Sequence, residues 1–313
     1  MKLLRGLGAL KNSSEKRKAG CVATIGNFDG LHLGHQKIIS KLKEKANQYK
    51  LPLTIISFEP LPTEYFMPNP PARVYPMRDK IRLLKKLGVD EYLCLKFDKA
   101  FANQSPKTFI QEILLDKLNV KYLAVGDDFK FGHKREGDFN LLKEMGEPSG
   151  MQVTDTKTCS QNNERISSSR IRKLLEAGDI QSANKLLGHN YQLSGRIRHG
   201  DKRGRTIGFP TLNLRMLNHI APSKGVYAVK IHGLGNVTLL GVANLGTRPT
   251  VSGDENRLEV HLFDFDKEVY GQYICVELVE FLRPEKKFDD FNALKTQIVN
   301  DAENSKEILR GSD

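Results

Sequence analysis

The chain has 313 residues, enough for two domains with well-buried cores. With 39% hydrophobic and 27% charged residues it is neither a disordered chain nor a collagen-like repeat nor a disulfide scaffold. The net charge of +12 lies almost wholly in the first part, with 32 Lys/Arg against 21 Asp/Glu up to residue 188 and 17 against 16 beyond it. Such an excess suits polyanionic ligands, nucleic acid and nucleotide phosphates alike, while runs such as KEKANQYK read as solvated surface. Apolar stretches such as Leu51 to Phe58 fall far short of the roughly 20 residues that cross a bilayer. The first twenty residues lack the apolar run of a secretory signal. Cys21, Cys94, Cys159 and Cys275 stand singly, without a C-x-x-C pair or zinc spacing, so free thiols in a reducing cytoplasm are expected.

In chain order, Cys21 to Ile25 reads as a short apolar strand, followed by a glycine-rich turn and a helix over HQKIISKLKEKANQYK. Leu53 to Phe58 is a second buried strand. Asp79 to Leu87 reads as a helix, Tyr92 to Leu95 as a strand, Pro106 to Lys117 as a helix and Tyr122 to Val125 as a strand. This alternation predicts a parallel sheet covered by helices, with ligands at the carboxyl ends of the strands. From Ser167 the pattern is helical, broken at Gly178 and Asp179. Beyond Tyr191, short β-branched and aromatic runs between turn residues predict an antiparallel barrel or sandwich, closed by a helix at about Asp290 to Val299. The expected fold is therefore α/β over residues 1–188, including two inter-domain helices, and all-β over residues 189–313.

The segment GNFDGLHLGH, Gly26 to His35, sits where the first strand ends and the first long helix begins. Gly26, Gly30 and Gly34 permit close backbone approach, and a helix start supplies free N–H groups with partial positive charge, which together make a phosphate cradle. His32 and His35 are three apart and can face one ligand.

T-I-G-N-F-D-G-x-H-x-G-H-Q resembles the signature of the prokaryotic FAD synthetases, within the wider nucleotidyltransferase superfamily. The resemblance continues through SFEPLP (Ser57 to Pro62), VGDDFKFGHKREGD (Val125 to Asp138) and ISSSRIR (Ile166 to Arg172). It implies a Rossmann-like nucleotidyltransferase domain that transfers an adenylyl group from ATP to FMN, giving FAD and pyrophosphate. It also implies that His32 and His35 are catalytic donors to the ATP phosphates. Gly26, Phe28, Asp29, Gly30 and Gly34 would line the ATP site together with Ser167, Ser168, Ser169 and Arg172, and Arg170 is placed to reach anions. Phe58, Asp127, Asp128 and Phe129 would line the FMN and adenine pocket. Read alone, S-S-S-R is equally an ordinary helix cap, and the phenylalanines equally core. Ser169 stands where the family more often has threonine, which retains the hydroxyl.

Residues 195–213, GRIRHGDKRGRTIGFPTLN, combine four glycines with basic side chains, a composition able to wrap polyphosphate. Its end resembles the Gly-Phe-Pro-Thr-x-Asn element of riboflavin kinases, with Leu212 in place of the usual alanine. GVYA, GVANLGTRPT and LEVHLFDF follow in the same order. The resemblance implies a barrel of the riboflavin kinase type, ATP binding by Gly195, Gly204, Gly208, Thr211 and Asn213, and a Mg²⁺ held by Thr211 and Asn213. It makes Glu259 the general base, although strand alternation alone would put Glu259 on a solvent face. His261 shares that face and is given no role. His189 and Asn190 stand where the family has arginine and proline, and His133 has no assigned role.

The expectation is a cytoplasmic bifunctional flavin-cofactor enzyme that uses riboflavin, FMN and ATP, with no nucleic-acid or membrane partner. The alternatives are that only one half is active, or that the protein is a basic nucleic-acid binder.

Overall fold

The computed structural model describes residues 1–11, 19–126, 128–156, 160–161, 164–199, 209–216, 220–250 and 253–311. The chain forms two compact units, Met1–Pro71 with Lys80–Ile166, and Ala72–Asp79 with Ser167–Asp313.

The first unit is built on a parallel sheet. Its strands are β1 (Lys2–Arg5), β2 (Cys21–Ile25), β3 (Leu53–Glu59), β4 (Glu91–Lys96), β5 (Val120–Gly126) and β6 (Gln152–Thr156), arranged in the order β1-β4-β3-β2-β5-β6. β2 is buried at every position and β3 at all but the last, as expected of strands covered on both faces, whose sequence is then an apolar run instead of an alternation. The helix α1 (Leu33–Tyr49) carries the chain from β2 to β3 and ends at Lys50, whose left-handed backbone returns its N–H to the Ala46 and Asn47 carbonyls. The longer helices that follow are α2 (Pro62–Phe66), α3 (Met77–Lys86), α4 (Pro106–Thr108, continued by Phe109–Lys117), α5 (Phe139–Gly146), α6 (Ser168–Glu176) and α7 (Ile180–Leu187), and β7 (Ser160–Gln161) pairs with β8 (Glu164–Arg165) in a two-stranded ribbon. From β2 the order runs to β3 and β4 on one side, then resumes with β5 on the other. That reversal places the switch point, where open α/β sheets bind ligands, between the carboxyl ends of β2 and β5. The predicted helix at 106–117 is present, but from Phe109 to Lys117 it widens to π geometry. β1 and β6 add two edge strands to those expected. Both are short, and their exposed polar positions hide them among loops.

The second unit is an antiparallel sheet of β9 (Gln192–Arg196), β10 (Thr211–Arg215), β11 (Gly225–His232), β12 (Leu239–Thr250), β13 (Gly253–Leu262) and β14 (Tyr273–Pro284), in the order β10-β13-β12-β11-β14-β9. A bridge between Arg198 and Asn213 brings the two outer strands together, so the sheet curls into a barrel. The short strands β9 and β10 frame the basic segment that the sequence presents as one loop. The helices Ser168–Glu176 and Ile180–Leu187 belong to this unit by their contacts. A Cβ on Gly178 would stand 2.6 Å from the Phe281 ring, and Ser223 N donates to the Leu175 carbonyl at 3.0 Å.

The terminal helix α8 (Phe291–Arg310) starts at the expected cap, Asp290, but runs eleven residues past Val299. Tertiary contacts hold its second half. Asp301 accepts a bidentate pair from Arg283 with a shortest distance of 2.7 Å, Ser305 Oγ donates to the Gly241 carbonyl at 3.0 Å, and Ala302 and Leu309 are buried. No helix among the described residues is long and apolar enough to cross a membrane.

Leu123 on β5 is fully buried in the cluster that also holds Ile56, Leu93, Ile110 and Leu114. Leu123→Ala is expected to cost about 2–5 kcal/mol, the range for cavity-forming leucine truncations. A urea unfolding midpoint equal to that of the parent would contradict this packing.

Candidate active sites

In the first unit, the turn between β2 and α1 has the geometry its glycines foreshadow. Phe28 (φ 47°) and Leu31 (φ 45°) hold left-handed conformations without being glycine, beside Gly30 at φ 88°. Such residues cost of order 1–3 kcal/mol each and persist only where the surroundings over-determine them. The surroundings here do so. Phe28 and Leu31 are buried, Lys80 Nζ donates to the Asn27 carbonyl at 2.8 Å, and Gln36 Nε2 donates to the Leu31 carbonyl at 2.8 Å.

His32 is the N-cap of α1, and its Nδ1 accepts from the His35 N–H at 3.4 Å. A neutral His32 ring therefore carries its proton on Nε2. The His32 and His35 rings stack with centroids 3.7 Å apart, and Phe28 leans on His35 at 5.0 Å. Burial chiefly, then the neighbouring charges of His32 and Lys80, hold the His35 pKa well below its ordinary value, so its imidazole is neutral. His35 Nδ1 is buried with no hydrogen-bond partner among the described residues. Asp29 is buried in the same turn, and Gly34 lies in the first turn of α1.

Asp128 and Phe129 follow the end of β5, on the far side of the switch point; Asp127 lies outside the described residues. Phe129 stacks on Phe131 at 5.3 Å, and an aromatic chain continues through Phe109 and Phe101 to Phe58 and Phe97. Phe58 is core. The surface end of the chain is Tyr65 and Phe66, both against Phe97, with Phe66 65% exposed. No local sequence pattern marks Tyr65 and Phe66, nor Lys80, a lysine only 1% exposed.

In the second unit, Ser167 caps the helix Ser168–Glu176 by accepting from the Arg170 N–H at 3.3 Å, and Arg172 Nη1 donates to Ser169 Oγ at 3.3 Å. This block therefore performs the capping that its sequence allows, with the guanidinium groups on the first turns of the helix.

The barrel brings three predicted residues together. Asn213 on β10 pairs in register with Glu259 on β13, and Thr211 with His261. Directly paired residues of an antiparallel ladder share a face, as do residues two apart on one strand, so Thr211, Asn213, Glu259 and His261 stand on the same side of the sheet. Asn244 on β12, paired with Glu259 on its other side, joins them. Thr211, Glu259, His261 and Asn244 line a cleft of ≈ 490 Å³, whose opposite wall is Phe291, Leu294 and Ile298 of α8. An apolar cleft of this size with a few convergent polar groups suits a flat organic ligand.

Asn213 Oδ1 accepts from Arg257 at 3.5 Å. His261 donates from Nδ1 to the Pro210 carbonyl at 3.0 Å, and its pKa is lowered, chiefly by burial. The Asn244 amide donates to Glu285, and its Oδ1 is buried with no partner among the described residues. Arg283 and Asp301 complete the rim, a pair unseen in sequence because strand and helix lie far apart along the chain. Gly195 lines a separate cleft with Arg196 and Arg198. Gly204 and Gly208 lie outside the described residues.

The described residues contain no group of three or more His, Cys, Asp or Glu able to hold a metal ion. The neutral oxygens of Thr211 and Asn213 instead fit a Mg²⁺ that arrives with phosphate ligands, since this ion is ordinarily held by few protein groups plus substrate phosphates.

A family profile for FAD synthetase matches residues 14–170, and one for riboflavin kinase matches residues 187–309. The bifunctional riboflavin kinase/FMN adenylyltransferase of Escherichia coli K12 is 46% identical over 310 residues, covering 99% of this chain and 98% of the relative. That of Haemophilus influenzae is 46% identical over 307 residues, covering 98% of each. A solved structure described as a macrolide-efflux protein from Streptococcus pneumoniae shares 28% identity with a TM-score of 0.77, covering 98% of this chain and 99% of its own. With such identity running the length of both partners, the chain belongs to the bifunctional riboflavin kinase/FMN adenylyltransferase family.

Proposed function

We propose that residues 1–188 adenylylate FMN to FAD and residues 189–313 phosphorylate riboflavin to FMN, both with ATP. The observation that carries the kinase half is the register pairing of Asn213 with Glu259, a residue that lines the apolar cleft. The reading is supported by the two family profiles, matched in that order along the chain.

In the kinase reaction the ribityl hydroxyl oxygen attacks the γ-phosphorus, the bond from that phosphorus to the ADP oxygen breaks, and the hydroxyl proton passes to the Glu259 carboxylate. A neutral hydroxyl needs such a base. Thr211 and Asn213 would hold the Mg²⁺, which when bound offsets phosphate charge. The isoalloxazine ring lies against Phe291, Leu294 and Ile298, and the buried, unpartnered Asn244 Oδ1 offers an acceptor to it or to a ribityl hydroxyl.

In adenylyl transfer an FMN phosphate oxygen attacks the α-phosphorus and pyrophosphate leaves. With a second pKa of about 6 the nucleophile is already largely ionised, so positioning and charge stabilisation are what the site supplies. Gly26, Phe28, Asp29, Gly30 and Gly34 shape the cradle around the triphosphate, and His32 and His35 donate to it, His35 as a neutral imidazole. Ser167, Ser168, Ser169 and Arg172, at the start of their own helix, carry donors of the kind that bind phosphate. A helix start contributes only about 0.3–1 kcal/mol toward an exposed anion, against the roughly 8–23 kcal/mol by which enzymes lower barriers. Geometry and the Mg²⁺ that accompanies ATP carry the remainder. Asp128, Phe129 and the exposed Tyr65 and Phe66 offer the flavin a polar group and aromatic faces. Free thiols at Cys21, Cys94 and Cys275 accord with a cytoplasmic setting.

Glu259→Gln is expected to slow FMN formation by about 10²–10⁴-fold, the usual worth of a general base, while FAD formation from supplied FMN stays near the parental rate. Replacing His32 and His35 by Ala should do the reverse. Equal losses in both assays from either change would overturn the two-site reading.

The lowered pKa of His35 also has a sign in stability. As pH falls, the unfolded chain takes up this proton first, near the ordinary value of 6.5, so the contribution is full above that pH and is lost as pH falls through it toward the folded value. Between about pH 7.5 and 5.5, a span bracketing the ordinary histidine pKa, the urea midpoint should drop more steeply in the parent than in His35→Gln. Parallel slopes would show that His35 is not buried neutral.

A further inference from the structure

On the second unit, away from the apolar cleft of the kinase, lies an open cleft of ≈ 510 Å³ lined by Arg78, Arg196, Arg198 and Arg215 with Gly195, Met216 and Tyr273. Four arginines line one concavity, and no carboxylate lines it among the described residues. Two of them are aimed by backbone. Arg78 Nη2 donates to the Arg215 carbonyl at 3.2 Å, and Arg196 Nη1 donates to the Gly271 carbonyl at 3.1 Å. Carbonyl partners orient a guanidinium without cancelling its charge. Asp79 stands 3.7 Å from Arg78 Nε, but it is fully buried, and its carboxylate accepts from both the hydroxyl and the N–H of Ser194.

Gly195 keeps the cleft open. A Cβ there would come within 3.2 Å of Leu214 and 3.6 Å of Arg78 Nη2, so any side chain would occupy the space beside that guanidinium. Like charges gathered in a concave surface, oriented and left without a lining carboxylate, describe an anion receptor, and planar forked donors match phosphate oxygens.

We infer that this arginine cleft is a second, non-catalytic binding site for a diphosphate group. Its size admits a compact anion of two or more phosphates, and Arg196 and Arg198 add their charge to that of Arg78, which is shared with Asp79. The diphosphate is that of free pyrophosphate or of a nucleotide. Thr211, Asn213 and Glu259 line no part of this cleft, so occupancy here leaves the kinase chemistry in place.

The test is calorimetric titration of the full chain with inorganic pyrophosphate, inorganic phosphate and ADP, comparing the parent with R198Q/R215Q and with the milder R198K. The parent should bind one more pyrophosphate per chain than R198Q/R215Q binds, or bind it about tenfold more tightly, as loss of charge-assisted contacts implies. R198K, which keeps charge but loses the fork, should fall between them. Affinity should drop as salt rises. The riboflavin kinase KM for ATP should be the same in all three proteins. Pyrophosphate binding tighter than ADP binding assigns the free anion, and the opposite order assigns a nucleotide. The inference is overturned by identical pyrophosphate titrations of parent and R198Q/R215Q, by phosphate binding as tight as pyrophosphate binding, or by a raised KM for ATP in R198Q/R215Q. The last outcome would make the cleft part of the catalytic nucleotide site.

Discussion

The first unit is organised around a backbone that would not hold its shape alone. Between Gly26 and Leu31 the chain adopts left-handed conformations at Phe28 and Leu31 that side chains ordinarily avoid. What secures them is burial of both side chains together with two donors, Lys80 and Gln36, that fix the carbonyls of Asn27 and Leu31. The result is a helix start whose first N–H groups open toward the gap that the reversal of strand order leaves between β2 and β5. The stacked histidines, the cap of α1 and the neutral state of His35 all follow from this turn. Lys80 serves twice, since the ammonium that holds the turn also discourages protonation of His35.

The second unit solves its positioning problem with a ladder. Thr211, Asn213, Glu259 and His261 owe their shared face to the register of β10 on β13, and a slip of β10 by one residue would turn Thr211 and Asn213 away from Glu259. The far wall of the cleft is a helix, and the paired Arg283 and Asp301 tie that helix to β14. Breaking such a buried pair by removing one partner leaves an uncompensated charge and typically costs about 3–5 kcal/mol. The pair thereby fixes the width of the cleft as well as the position of α8.

Much of this was legible in the amino-acid sequence, for identifiable reasons. β2, β3, β4 and β5 are mainly apolar in their central positions because both faces are covered there, and such a run between turns is a strong signal. The tight turn from β2 into α1 was legible because glycines spaced in this way mark a strand-to-helix junction. β1 and β6 were not, since edge strands keep one side in water and their composition merges with loops. Lys80 was not, because a lysine on an amphipathic helix reads as solvated, and only the fold places the Asn27 carbonyl within its reach. The second half of α8 depends on Asp301 and Ser305 meeting partners 18 and 64 residues earlier, which no local pattern encodes. Gly195 was grouped with Thr211 by proximity along the chain, whereas the return of the strand puts the two in different clefts.

The two proposed sites differ in one respect that their nucleophiles demand. A phosphate monoester arrives ionised at neutral pH, so a site built to use it gains nothing from a base and much from neutral donors that leave it unprotonated. The low pKa of His35 meets that requirement, since an imidazole that stays neutral near the reacting phosphates cannot trap the nucleophile in an ion pair. A ribityl hydroxyl arrives protonated, and its site must place a carboxylate where the proton departs. Glu259, the proposed base, is partly exposed and lines the cleft, and Thr211 and Asn213, the proposed magnesium ligands, stand on the same face of the sheet. A turn that offers backbone N–H groups suits the first task and a rigid strand face suits the second, and this difference in proton demand is a physical reason for joining two unrelated architectures in one chain.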